Sequence, residues 1–139
     1  MNETIVAEIE ECSRLSQAGQ ISFGEVVQRL IKAGVERYHA DYSRAETTYY
    51  LPNEETLVIP LKVAQPALGE TFSAEEVQAS VRGAQRGEVL YPEFVRRTKL
   101  AGCVGYFVLL TGKCVQYLGR RGEIHTEWFP GAPVAPAGQ

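Results

Sequence analysis

Histidine is scarce in this chain, and both copies sit among carboxylates at strand-like spacing. Arg37, His39 and Asp41 alternate with Tyr38, Ala40 and Tyr42. A period of two puts the three polar groups on one side of a strand, roughly 6–7 Å apart from one to the next. An imidazole beside a carboxylate can work as an oriented base, and an arginine fork suits an anion. Arg44 lies just beyond. Glu123, His125 and Glu127 repeat the pattern on the last strand-like segment. The competing reading of both stretches is a solvated or salt-bridged sheet face, since charge on an edge strand discourages edge-to-edge pairing. Arg37, His39, Asp41, Arg44, Tyr49, His125 and Glu127 are the candidate ligand-binding residues. The expectation is that His39 lies partly buried at the wall of a concave pocket. No residue is assigned a catalytic role.

Other chemistry finds no motif. There is no HxH, HExxH or paired Cys/His spacing for a metal, no GxSxG elbow, and the stretch 83–87 has neither a leading strand nor a following Lys-Ser/Thr to hold phosphate. Neither metal nor cofactor is expected. A net charge of −3 supplies no basic field for nucleic acid. No apolar run approaches the roughly 20 residues that cross a bilayer, so no membrane partner is expected. The polar start Met1-Asn2-Glu3-Thr4 does not read as a signal peptide, and the reading is a cytoplasmic protein. Cys12, Cys103 and Cys114 have no CxxC spacing. A two-residue turn at Thr111-Gly112 would set Cys114 opposite Leu109 and leave Cys103 beyond disulfide reach, so reduced, buried thiols are expected.

The elements that must position these residues follow from periodicity. Ile5, Ile9, Cys12 and Leu15 form one helical stripe, closed by Gly19. Ser22 with Glu25 opens a second helix whose apolar face is Phe23, Val26, Val27, Leu30 and Ile31, with Gly34 as its terminator. Strands are predicted over Val35–Tyr42, Thr47–Leu51 and Thr56–Leu61. Ser73 with Glu76 opens a third helix, closed by Gly87, whose thin apolar face (Val77, Val81, Ala84) suits a surface position. Tyr91-Pro92 starts a fourth, with Phe94, Val95, Thr98 and Ala101 inward. Cys103–Leu110 reads as an interior strand, followed by strands over Lys113–Leu118 and Glu123–Phe129. The tail 131–139 has little to bury and is expected to be disordered.

Shifted by 68 residues, the halves coincide: Glu25 falls on Glu93, Val27 on Val95, Arg29 on Arg97, Ala33-Gly34 on Ala101-Gly102, Tyr38 on Tyr106 and Tyr49 on Tyr117. The prediction is a single α+β domain over 1–130. It would comprise two helix-helix-strand-strand-strand halves, about 1–65 and 66–130, with four helices, about six mainly antiparallel strands and a possible internal duplication.

Gly34-Val35-x-Arg37-Tyr38, Thr47-x-Tyr49, Tyr91-Pro92-x-Phe94, Ala101-Gly102 and Glu127-x-Phe129-Pro130, read in order, resemble the YbcV-like bacterial family of unknown function, some of whose members are labelled phage envelope protein. The resemblance covers about residues 5 to 130. It departs from one common family pattern at Cys103-Val104-Gly105 and at His39-Ala40-Asp41. It implies an α+β fold and no activity. The functional expectation is a non-catalytic domain binding a small ligand or peptide in a groove between the halves, rimmed by tyrosines with Arg37, His39 and Arg44. The alternatives are a protein-interaction or phage-related accessory protein, and a hydrolase-like enzyme using His39 or His125. Tyr38, Tyr42, Tyr49, Tyr50, Tyr106, Tyr117 and Trp128 would line a shared aromatic core or a cleft.

Overall fold

Three helices begin where a short polar side chain can accept from an orphan backbone N–H. Asn2 Oδ1 accepts from the Ile5 amide at 2.8 Å, and Ser22 Oγ and Ser73 Oγ accept from the amides of Glu25 and Glu76 at 3.2 Å. These caps belong to a computed structural model of the chain, which describes residues 1–131. They open α1 (Glu3–Gln17), α2 (Phe23–Ala33) and α3 (Ala74–Gln85). The fourth helix, α4 (Tyr91–Leu100), has no side-chain cap; Pro92 sits in its first turn, where a missing N–H is no loss.

The strands are β1 (Arg37–Asp41), β2 (Glu46–Tyr50), β3 (Thr56–Pro60), β4 (Cys103–Leu109), β5 (Cys114–Gly119) and β6 (Ile124–Trp128). They form one antiparallel sheet in the order β3-β2-β1-β4-β5-β6. This is the α+β architecture expected, with four helices and six strands. The helices cover one face of the sheet. Tyr38, Ala40, Tyr49, Tyr106, Val108, Val115 and Tyr117 point into that layer and are buried. Arg37, His39, Tyr50 and Phe107 point to the open face, because successive strand residues alternate sides.

The halves repeat in detail. Phe23 begins α2 and Tyr91 begins α4, while β3 spans Thr56–Pro60 and β6 spans Ile124–Trp128, so each pair is offset by 68 residues. Backbone torsions keep the same offset. Eight left-handed residues fall in four pairs: Gly19 with Gly87, Gly34 with Gly102, Ala45 with Lys113, and Glu54 with Gly122. So do cross-links such as Leu61 N to Ala45 O and Phe129 N to Lys113 O. The β1–β4 ladder joining the halves runs from Arg37↔Leu109 to Asp41↔Gly105, centred on His39↔Phe107. A pseudo-twofold axis therefore passes through that pair, and each half supplies three strands in mirrored order.

Several local expectations change. Ile31 is 46% exposed, so the inward stripe of α2 runs through Val26, Val27 and Leu30 instead. Conversely α3 is no surface helix: Val77, Ser80, Val81 and Gly83 are buried, and Gly83 makes room for Val89. The β4–β5 turn pairs Leu109 with Cys114 as predicted, but Lys113, not Gly112, takes the left-handed conformation. Cys12, Cys103 and Cys114 are free and buried. The predicted disordered tail falls, beyond Gly131, outside the described residues. Among the described residues no helix is long and apolar enough to cross a membrane.

Candidate functional site

Two helical pairs, α1–α2 and α3–α4, cannot close completely over the aromatic face of the sheet. Between them lies a cavity of about 590 Å³. Its walls follow the pseudo-twofold: Tyr38 and Tyr106, Tyr49 and Tyr117, Phe23 and Tyr91, Ile21 and Val89, Leu61 and Phe129, and Gln17 and Gln85 all line it in matched pairs. Ring contacts make the floor rigid. Tyr38 and Tyr49 lie 5.2 Å apart, Tyr106 and Tyr117 5.5 Å, and Phe94 packs edge-on to Tyr106 at 6.1 Å. This size and apolar aromatic lining suit a small-molecule chamber.

The hydroxyls differ in what they do. Tyr106 donates to the Tyr91 hydroxyl at 2.8 Å. Tyr42, outside the cavity, lies 2.7 Å from Thr98 Oγ1, which donates to the Phe94 carbonyl at 2.8 Å; Tyr42 is therefore the donor of that pair. The Ser13 side chain lies near the Tyr49 hydroxyl. The hydroxyls of Tyr38 and Tyr117 have no side-chain hydrogen bond among the described residues. Burial raises all these phenols, Tyr91 to about 12, so they stay neutral and able to donate. Cys12 also lines the cavity, and burial pushes its thiol up to about 11, away from the reactive thiolate.

Polar groups gather at the two ends. At the first, Ser13, Ser16 and Thr47 line the wall and Gln17 acts as a latch. Its Nε2 donates to Ser13 Oγ and to the Pro60 carbonyl, both at 3.0 Å, and its Oε1 accepts from the Lys62 amide at 2.7 Å. Its counterpart at the second end, Gln85, accepts, among the described residues, from Arg82 alone and is exposed, as are Arg86 and Gly87 beside it. The cavity is thus bolted at the α1–β3 end and looser at the α3–β6 end. Glu127 stands there, buried, with three partners. Oε1 lies 2.8 Å from His125 Nε2 and accepts from Gln78 Nε2 at 3.2 Å, and Oε2 accepts from Arg82 at 3.0 Å. The His125 ring stacks beside Tyr117 at 6.4 Å.

Six of the seven candidate residues are divided between the two faces of the sheet, and Arg44 lies in the β1–β2 turn. Glu127 and Tyr49 line the cavity, and His125 shares their face of the sheet. Arg37, His39 and Asp41 are on the open face. His39 is half-buried, stacked on Phe107 at 4.1 Å, and its pKa is lowered, first by burial. Arg37 pairs with Glu36 and lies over the Tyr50 ring at 4.1 Å. Asp41 accepts from the Arg44 amide at 3.1 Å, and exposed Arg44 pairs with Glu46 at 2.5 Å. The expected groove joining Arg37, His39 and Arg44 to the tyrosines does not form. If Tyr38 faces the helices, its strand neighbours Arg37 and His39 must face away. The solvated-edge reading of His125 and Glu127 is also corrected, because the helix-covered face buries Glu127. Tyr38, Tyr91, Tyr106 and Tyr117 were not among the seven; the coincidence of Tyr38 with Tyr106 and Tyr49 with Tyr117 at the 68-residue shift was the signal that marks them. Among the described residues, no group of three or more His, Cys, Asp or Glu side chains could hold a metal ion. No protein-family model and no curated protein matches the chain.

Proposed function

We propose that this protein is a small-ligand binding domain that encloses an apolar or aromatic molecule between its two halves. The observation that carries the reading is the cavity of about 590 Å³ floored by Tyr38, Tyr49, Tyr106 and Tyr117. Well-packed cores leave few voids larger than a water molecule, so a chamber of this size in so short a chain calls for an occupant. The tyrosines supply stacking surface, and the hydroxyls of Tyr38 and Tyr117 offer donors to a polar atom of the guest. Among the described residues that line the cavity, no nucleophile is paired with an activating base: the phenols and the Cys12 thiol are held neutral, and the Glu127 carboxylate is held by Arg82 and His125. Binding without turnover is therefore the reading adopted. Membership of the YbcV-like family remains a proposal resting on motif order, and it brings no activity with it.

Val115 stands on the cavity floor, where a larger side chain would occupy the guest's space. The neutral dye N-phenyl-1-naphthylamine should bind the wild-type protein saturably at one site with enhanced fluorescence. Val115→Phe should abolish the enhancement yet keep the fold, because an added ring enters a void instead of a packed core, where overpacking costs roughly 1–3 kcal/mol. Absence of dye binding to the wild type, or equal binding to the folded variant, would overturn the proposal.

A further inference from the structure

The internal repeat shows which cavity residues the fold needs and which it does not. Residue 127 is the counterpart of Ile59: Val115 pairs with Glu127 across β5–β6 as Thr47 pairs with Ile59 across β2–β3. The first half thus forms the same strand with an apolar residue at this place. A carboxylate here is not required by the architecture, and burying one is costly unless it is paired. Glu127 is nonetheless 6% exposed and lines the cavity.

We propose that Glu127 makes the cavity selective for a protonated organic amine carried on an aromatic or apolar body. The inference rests on the small-ligand reading above and names the class of ligand. The only other charged residue lining the cavity, among the described residues, is Arg86, whose side chain is 59% exposed and paired with Glu88 at 3.1 Å. Arg82 holds Glu127 from outside, with a side chain 46% exposed, so water screens its charge more than that of the buried carboxylate. The field inside the chamber is therefore set by a negative group. His125, Gln78 and Arg82 together take three of the roughly four acceptor positions of a carboxylate. One on Oε2 is left for an ammonium N–H. Tyrosine faces add cation–π attraction to the same charge. An anionic head would meet the Glu127 carboxylate, whose arginine partner Arg82 is half-exposed. The amine would sit at the looser α3–β6 end, with its apolar body directed inward over Tyr117, Tyr106 and Phe94.

Three probes share one indole ring and differ in the head group: tryptamine, indole-3-ethanol and indole-3-propionate. Each is titrated into the full chain at low salt, by calorimetry and by displacement of N-phenyl-1-naphthylamine. The expected order is tryptamine tightest, indole-3-ethanol next and indole-3-propionate weakest, with at least about a tenfold gap between amine and acid. In Glu127→Gln the gap between amine and acid, read by calorimetry, should collapse to within about twofold. Dye binding with equal affinity for the three probes, or with the acid preferred, would overturn the amine assignment and leave the cavity reading standing. So would dye binding with no indole probe bound. Failure of dye and probes alike would remove both. The wild-type ranking decides the matter even if Glu127→Gln does not fold.

Discussion

His39 occupies the one place in the sheet where the two halves meet on their own axis, opposite its counterpart Phe107. The repeat explains the stack: one half puts an imidazole and the other a phenyl at the same position, and the two rings lie 4.1 Å apart and 5° from parallel. Burial against Phe107 lowers the imidazole pKa from 6.5, and the neighbouring Asp41 only partly offsets this. The sign follows from linkage. The unfolded chain takes up the proton first as pH falls, so the stabilising contribution is present above about pH 6.5 and is lost as pH drops toward the lower folded value. In His39→Phe the ring contact remains and the titration is gone. Its urea-unfolding free energy should fall less than that of the wild type between pH 7.5 and 5. Parallel pH profiles for the two proteins would contradict this account.

Helix ends tell a related story at the level of elements. Gly34 ends α2 and Gly102 follows α4, with φ of 91° and 89°. A Cβ at Gly34 meets nothing within 4 Å, whereas one at Gly102 would lie 2.4 Å from the Thr71 carbonyl oxygen. The difference comes from the segment joining the halves, which runs back along α4 and hydrogen-bonds through Gly69 N to Lys99 O and Ser73 N to Ala101 O. Gly34→Ala should therefore cost only the left-handed backbone penalty, roughly 1–2 kcal/mol. Gly102→Ala should cost about 3 kcal/mol or more, because backbone must also move. Equilibrium denaturation of the pair checks this, and equal losses would show that the connecting segment yields freely.

As a whole, the molecule is two copies of one motif that complete each other's core. The β1–β4 ladder and the cavity walls are shared between them, so neither half encloses the tyrosine floor alone. Cutting the chain between residues 64 and 65, in the connection, leaves every helix and strand intact. Co-expressed fragments 1–64 and 65–139 should co-purify as a one-to-one complex with the circular dichroism of the intact chain and should bind N-phenyl-1-naphthylamine. Fragments that fail to associate would mean that the covalent connection, more than the shared core, holds the halves together. The price of the arrangement is asymmetry at the ends: Gln17 bolts one end of the cavity while Gln85 leaves the other loose.

Helix caps, the order of elements and the 68-residue repeat were legible in the residues, because caps, turn glycines and apolar spacing act locally. The sides of β1 were legible as well, since Tyr38, Ala40 and Tyr42 separate cleanly from Arg37, His39 and Asp41. What could not be read was which side carried the cavity. In β6 the residue pattern points the wrong way: Ile124 and Trp128 look like the inward set, yet Ile124 is 58% exposed and Glu127 is buried. Pairing with β5 decides it. The Gly119–Glu123 turn sets Tyr117 opposite His125 and Val115 opposite Glu127, and cross-strand partners must share a face. Tyr117 and Val115 are committed to the helices by their own burial, and they carry the two polar residues in with them. A strand's periodicity determines that its side chains alternate; only its neighbour in the sheet, fixed by tertiary packing, determines which alternate is covered.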